Sequence, residues 1–233
     1  MSDIVQLAPI EDDFWDRING SLTFGLSYTQ TNGALQYNLG YDANYRSRKN
    51  YGKFSASSIF NSQNDAESTQ QSYIQLLLAQ VRKKKWGPFE LAAIQSNPDQ
   101  GYDLRTLLGG GASRFLIENS TYLLALNLGA VYNRELVTNS NEVDNSAELL
   151  TGISFRHYKG NTYSPGIETS LNIFTDANVA RRHRAVIKFN VAWKIFHDFT
   201  FNFRIDDSYD SNPPGEDGSN NNIIVVTSVG HTF

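Results

Sequence analysis

The chain has 233 residues, of which 40% are hydrophobic, 12% aromatic and only 19% charged, too aromatic and too sparsely charged for a disordered chain. Its net charge of -4 gives no general reason to expect nucleic acid as a partner, and the lack of cysteine excludes disulfides, thiol chemistry and Cys-based zinc sites. Mean hydropathy is -0.41, and no stretch approaches the roughly 18 apolar residues of a membrane-spanning helix.

Low hydropathy with many aromatics is compatible with a membrane in one way. A transmembrane barrel shows lipid an apolar residue only at every second position, so period is the test. In chain order, residues 4–10 read either as the last strand of an upstream segment or as a loose tail. Leu22, Phe24, Leu26 and Tyr28 then alternate with small polar residues, and Thr31-Asn32-Gly33 is a hairpin turn. Leu35, Tyr37, Leu39, Tyr41, Ala43 and Tyr45 alternate with Gln36, Asn38, Gly40, Asp42, Asn44 and Arg46, which no helix period fits. Weaker strands are expected over 51–61, 70–82, 88–96 and 103–115. The second of these, around Leu76-Leu77-Leu78, has no clear facing. Tyr122, Leu124, Leu126, Leu128, Ala130 and Tyr132 alternate with a smaller, mixed set, and 146–158 is another weaker strand. Four further alternating runs start at Ile167, Ala185, Phe199 and Ile223. The expected fold is all-β, an antiparallel up-and-down transmembrane β-barrel of about 12 strands spanning 14–233, with 1–13 a tail or the remnant of a periplasmic segment. Ten or fourteen strands are the alternatives.

An even strand count puts both termini on one side, which in bacterial outer-membrane barrels is periplasmic, with short turns there and longer loops outside. Turns are expected near 46–53, 82–88, 117–121, 159–165 and 196–199. Outer loops are expected near 30–33, 62–71, 97–103, 135–145, 176–183 and 207–221. Charge sorts by side. Arg46, Arg48, Lys49, Lys53 and the run Arg82 to Lys85 fall in turns, whereas Glu135, Asp144, Asp207 and Asp210 fall in outer loops. The run Arg181-Arg182-His183-Arg184 is the exception. The basic turn reads as a solvated face or as a contact for anionic phospholipid head groups. Trp15, Tyr45, Trp86, Tyr122, Trp193 and Phe233 fall near the periplasmic rim, where amphipathic rings favour the interface.

Twelve strands about 4.8 Å apart and tilted by about 40° give a backbone radius of roughly 12 Å. The expected lining is charged: Asp42, Arg46, Arg105, Glu148, Arg156, Glu168, Arg184, Lys188, Arg204 and Asp206. Glu168, Lys188 and Arg204 are expected to pair across the lumen. Such a lining serves either as a salt-bridged plug or as a selectivity surface for small ions and polar solutes. Gly109-Gly110-Gly111 lies mid-strand with no phosphate-loop lysine after it, so a bend or close backbone approach explains it. No cofactor or metal is expected, because acidic clusters such as Asp206, Asp207 and Asp210 lack the spacing of a calcium loop. The expectation is that the chain is not an enzyme. The one remote catalytic alternative is a rim hydrolase in which His183, close to Asp206 and Asp207, activates water.

The two ends carry a recognisable pattern. Phe14 to Thr29, Gly101 to Gly111 and Asp207 to Pro214 resemble the opening strand, the central motif and the last external loop of the YdiY-like, salt-induced outer-membrane proteins. That family is known as a domain of unknown function. Gly230, His231 and Phe233 resemble the C-terminal signal read by the outer-membrane barrel assembly machinery, with His231 in place of the commoner Tyr. The resemblance implies a barrel in the bacterial outer membrane, with the lipid bilayer and that machinery as partners, and a link to salt stress. It supplies no activity or catalytic residues. A barrel must be exported, and Met1-Ser2-Asp3 leads directly to Ile4, so an export signal is expected to have been removed. The functional expectation is a structural barrel or small passive pore. The alternative is a non-conducting barrel acting in binding or envelope assembly through its rim loops or a lost periplasmic domain.

Overall fold

The computed structural model describes residues 17–29, 34–47, 49–63, 66–80, 82, 85–119, 121–140, 142–157, 165–177, 182–196, 198–214 and 218–232. The expectations for the tail 1–13, Trp15 and Phe233 lie outside them. The described residues form twelve strands. These are β1 (Ile18–Thr29), β2 (Ala34–Arg46), β3 (Asn50–Gln63), β4 (Ala66–Gln80), β5 (Trp86–Asn97) and β6 (Tyr102–Glu118). They continue with β7 (Tyr122–Val137), β8 (Val143–His157), β9 (Gly166–Asp176), β10 (His183–Phe196), β11 (Phe199–Asp210) and β12 (Asn221–Thr232). Each pairs antiparallel with its chain neighbours, and β1 closes on β12 into one barrel.

Alternation decides which side chains face out. Leu22, Phe24, Leu39, Leu76, Leu108, Leu128, Ile187 and Val225 are all exposed on the outer surface. Such a continuous apolar band is far beyond the patch a water-soluble monomer tolerates. Leu77, between two outward leucines, packs inward instead. Its triple-leucine run is therefore a strand with apolar residues on both faces, which is why its facing could not be read from period.

The lumen is not uniformly polar. Phe89, Ala93, Leu107, Val131, Leu150 and Phe174, from β5 to β9, form a buried apolar cluster inside the barrel, with Leu77 of β4 and Val186 of β10 against it. The glycine run serves this packing. Gly111 is paired with Gly129, and a Cβ on Gly129 would lie 2.4 Å from the Gly110 carbonyl oxygen and 3.0 Å from Phe89 Cζ. Missing side chains let the β6 and β7 backbones draw close and let the Phe89 ring approach the β7 wall.

The expected turn at Thr31-Asn32-Gly33 and most of that at 159–165 lie outside the described residues; the other short turns fall near where expected, but the outer connections from β7 to β8 and from β11 to β12 are shorter than expected. β7 runs to Val137, β8 begins at Val143, and β11 continues to Asp210. Residues expected in outer loops, among them Glu135, Asp144 and Asp210, are therefore strand residues with a defined facing. Likewise β3 begins at Asn50, so Lys53 is a strand residue rather than part of a turn. Among the described residues the seam is the shortest ladder: β1 and β12 share four residue pairs, Ser21 to Phe24 against Val229 to Thr232, where β1 and β2 share twelve.

Candidate functional site

Inside the loop end of the barrel, strand registers place acids beside arginines. Arg105 on β6 is paired with Glu135 on β7, and Arg184 on β10 with Asp210 on β11. Arg105 Nε donates to Glu135 Oε1 at 2.6 Å, and its other end lies 3.6 Å from Asp210 Oδ2. Arg182, just before β10, reaches over the mouths of β8 and β9. It donates to Glu135 Oε2 at 2.9 Å and to Asp210 Oδ2 at 2.8 Å. Arg184 makes a two-point pair with Glu148 on β8. Asn133 Nδ2 donates to Glu135 Oε1 at 2.9 Å and completes that carboxylate's shell. Three arginines and three acids are thus locked together, with Glu135 fully buried.

Taking so many charges out of water costs several kcal/mol per ion, which the cluster offsets by pairing every arginine with an acid, although Arg105 Nη2 and Asn133 Oδ1 are buried without a hydrogen-bond partner. Burial alone would push the Arg182 guanidinium down. The hydrogen bond from it to Asp210 and the charges of Glu135 and Asp210 outweigh this and hold its pKa above the ordinary arginine value. Aromatic faces carry the remaining arginine surface: Arg105 lies 3.7 Å from the Tyr102 ring centroid, and Arg184 lies 4.8 Å from that of Phe174. Arg184 thereby joins the charged layer to the apolar cluster beneath it.

A strap crosses the mouth at this end. The short 3-10 turn Pro98–Gln100 joins β5 to β6 and meets β11, which lies on the opposite side of the ring. Gln100 Nε2 donates to the Ser208 carbonyl at 3.1 Å, and the Ser219 N–H donates to the Asp99 carbonyl at 2.9 Å. Gln71 on β4 donates to Asp99 at 2.7 Å and accepts from Asn222 on β12 at 3.1 Å. Gly101 has φ of 82°, and a Cβ there would sit 1.8 Å from the Pro214 carbonyl oxygen. Only glycine fits that conformation so close to another backbone. The central and last-loop motifs singled out in the sequence therefore meet face to face.

Deeper in the lumen, opposite walls touch twice more. Lys188 Nζ on β10 lies 3.8 Å from the Tyr73 ring centroid on β4. Nearer the turn end, Lys53 Nζ on β3 donates to Glu168 Oε1 on β9 at 2.9 Å, and Arg156 donates to the same oxygen at 2.6 Å. Arg156 also donates to the Tyr51 hydroxyl at 2.9 Å. In the ring, β4 and β10 are opposite, as are β3 and β9.

The expected lining residues thus fall mainly on the inner face. Arg105, Glu148 and Arg184 are buried in the loop-end cluster, while Arg156 and Glu168 are half-buried at the turn end. Asp42 accepts from Ser55 at 2.6 Å, and Arg46 is exposed at the turn-end rim. The expected mutual pairing of Glu168, Lys188 and Arg204 is corrected: Glu168 takes Lys53 and Arg156, Lys188 takes Tyr73, and Arg204 takes Asp206 on its own strand at 2.9 Å. Residues i and i+2 share a face, so Asp206 is nearer to Arg204 than any residue across the lumen.

Sequence reading missed Glu135, Arg182, Asp210 and Lys53. A signal existed for the first three: the basic run at 181–184 sat alone among acidic segments. The expected neighbourhood of His183 with Asp206 and Asp207 is also corrected. The register sets Asp206 opposite Lys188 and Asp207 opposite Ile187. His183 Nδ1 lies instead 3.3 Å from the Thr175 hydroxyl. Of the expected interface aromatics, Trp86, Tyr122 and Trp193 are exposed, Tyr45 is half-buried, and Tyr122 stacks on His157. Of the expected terminal signal, Gly230 faces inward and is buried. His231 is exposed and meets the Phe199 ring edge-on at 5.5 Å.

A family model described as "Protein of unknown function, DUF481" matches residues 22–229 and corresponds to the YdiY-like family that the sequence resembles. No curated protein matches the chain. Among solved structures, a bacterial polysaccharide outer membrane secretin is similar at 8% identity and a TM-score of 0.44, over 93% of this chain and 96% of that one. The β domain of the Bordetella autotransporter BrkA is similar at 8% identity and a TM-score of 0.43, over 94% and 99%. The translocator domain of autotransporter NalP from Neisseria meningitidis is similar at 12% identity and a TM-score of 0.44, over 93% and 87%.

Proposed function

The chain belongs to the DUF481 family, and we propose that it is an outer-membrane barrel held shut: a structural, non-conducting barrel in which ion pairs and a strap span the lumen. The carrying observation is that opposite walls are joined at separate heights, by Gln100 to Ser208, by Lys188 to Tyr73 and by Lys53 to Glu168. A passive pore needs a continuous thread of water, and each of these bridges lies across its path. Support for the membrane setting comes from the exposed apolar band with Trp86, Tyr122 and Trp193 towards the turn end. In this reading the partners are bilayer lipids and, during biogenesis, the barrel assembly machinery. Nucleic acid has no role, and no residue is assigned to catalysis.

Binding at the rim fits the same reading. An open polar depression of about 700 Å³ lies beside the strap, lined by Ser68, Gln70, Ser96, Asp99, Asp103 and Asn139. Planar-bilayer recording tests the reading. The unmodified chain is expected to insert without discrete current steps, and Lys53→Ala, Gln100→Ala and Lys188→Ala combined, which remove all three bridges, to produce them. Steady ohmic steps from the unmodified chain would overturn the closed barrel and favour the small passive pore.

A further inference from the structure

We propose that the short-turn rim from the β2–β3 turn to β6 is a binding site for anionic phospholipid head groups. This rests on the membrane reading above and names the lipid class that this part of the barrel selects. The pairing of Asn50 with Gln80 brings Lys49 beside the β4–β5 turn, and the pairing of Trp86 with Arg114 carries the arc on to β6. Lys49, Arg82 and Lys85 are exposed along it.

Arg114 is the unusual member. Its neighbours two positions away, Ala112 and Leu116, face outward and are exposed, so Arg114 lies on the same outer, lipid-facing surface. Its guanidinium lies 5.1 Å from the Trp86 ring centroid, and Trp86 is itself about half exposed. An indole marks the level where head groups begin, and a guanidinium resting on it presents its fork to a phosphate. The acids nearest along the same strands are Glu90, paired with Gly110 farther from this rim, and Glu118 at the end of β6.

Lys85 adds an independent observation. It has φ of 62°, a left-handed conformation that glycine adopts freely and that side-chain-bearing residues rarely take. The turn is closed by Arg82 N–H donating to the Trp86 carbonyl at 3.0 Å, and glycine at 85 would serve it better. The sequence keeps a cation there against the conformational preference. Phosphatidylglycerol, with one net negative charge beside its phosphate oxygens, fits Arg114 over Trp86, with Lys85, Arg82 and Lys49 drawing further head groups to the arc.

The test uses the full chain in nanodiscs, with Trp15→Phe and Trp193→Phe leaving Trp86 as the one indole. Quenching by brominated phosphatidylglycerol is compared with quenching by brominated phosphatidylcholine at equal mole fraction. Phosphatidylglycerol is expected to quench preferentially. A basic group near the surface contributes about 1 kcal/mol, so Arg114→Gln and Lys85→Gln are each expected to cut the preference about fivefold, and Arg114→Lys to retain most of it. Lys85→Gln lies in a turn and covers the case in which Arg114→Gln fails to fold. Equal quenching by both lipids overturns the site while leaving the membrane reading standing. Absence of quenching by either lipid in the folded barrel overturns the membrane reading itself. Binding of soluble polyglutamate without any lipid preference overturns the lipid assignment in favour of an acidic protein partner.

Discussion

The two ends of the lumen hold the same kind of chemistry in different surroundings. At the loop end, Arg105, Arg182, Arg184, Glu135, Glu148 and Asp210 are each no more than 5% exposed at the side chain, and the strap crosses the same end. At the turn end, Lys53 and Arg156 are 20% exposed and Glu168 is 38% exposed. Bond lengths barely distinguish the two groups, yet burial does. A buried charge that loses its partner has no water to turn to, whereas a half-exposed one is re-solvated. The loop end therefore holds the costlier charge network, and the turn end is a weaker brace across the lumen.

Substitutions probe that difference in order of size. Glu135→Ala removes the carboxylate that Arg105 and Arg182 share, leaving Asp210 as their one buried acid, and is expected to lower stability by about 3–5 kcal/mol, read by denaturant unfolding in detergent micelles. A loss below about 1 kcal/mol would break the comparison at its stronger end. Gly129→Val drives a branched side chain into the Gly110 carbonyl and the Phe89 ring. The expected loss is about 1–3 kcal/mol, visible as a lowered thermal midpoint. If it is tolerated without loss, the β6–β7 approach contributes nothing to the floor beneath the charged layer. Gly101→Ala forces a left-handed alanine against Pro214, at about 1–2 kcal/mol. Its readout is faster hydrogen exchange at the Ser219 amide, with the amides of β3 unchanged. Glu168→Gln is expected to change stability by less than about 1 kcal/mol, with the difference shrinking as salt rises. An effect as large as that of Glu135→Ala, insensitive to salt, would show the two ends to be equivalent.

Much of this architecture was legible because a strand has a period of two. Leu35 to Tyr45, Ala185 to Ile195 and the final run from Ile223 each declared an outer and an inner face, and the turns followed from where alternation stopped. Arg105, Glu148 and Arg184 were legible as lining for the same reason. Glu135 and Asp210 were not, because they lie where apolar alternation gives out while the backbone ladder continues. Lys53 was hidden among neighbouring cations, of which Lys49 lies in the turn between β2 and β3. The inner apolar cluster was invisible for a related reason: Leu77 and Leu107 stand beside outward leucines, and two apolar faces leave no contrast to read.

The amino-acid sequence by itself determined the strand class, the outward apolar stripe and the inward charge, because each depends only on residues two positions apart, and the antiparallel order, because the connections are short. Tertiary structure alone decided which charges meet. Closing the ring brings Lys53 to Glu168 and Gln100 to Ser208 across more than a hundred residues, and a register offset of a few residues separates His183 from the acids once placed beside it. Pairings of that kind depend on ring closure and strand stagger, which no local pattern encodes.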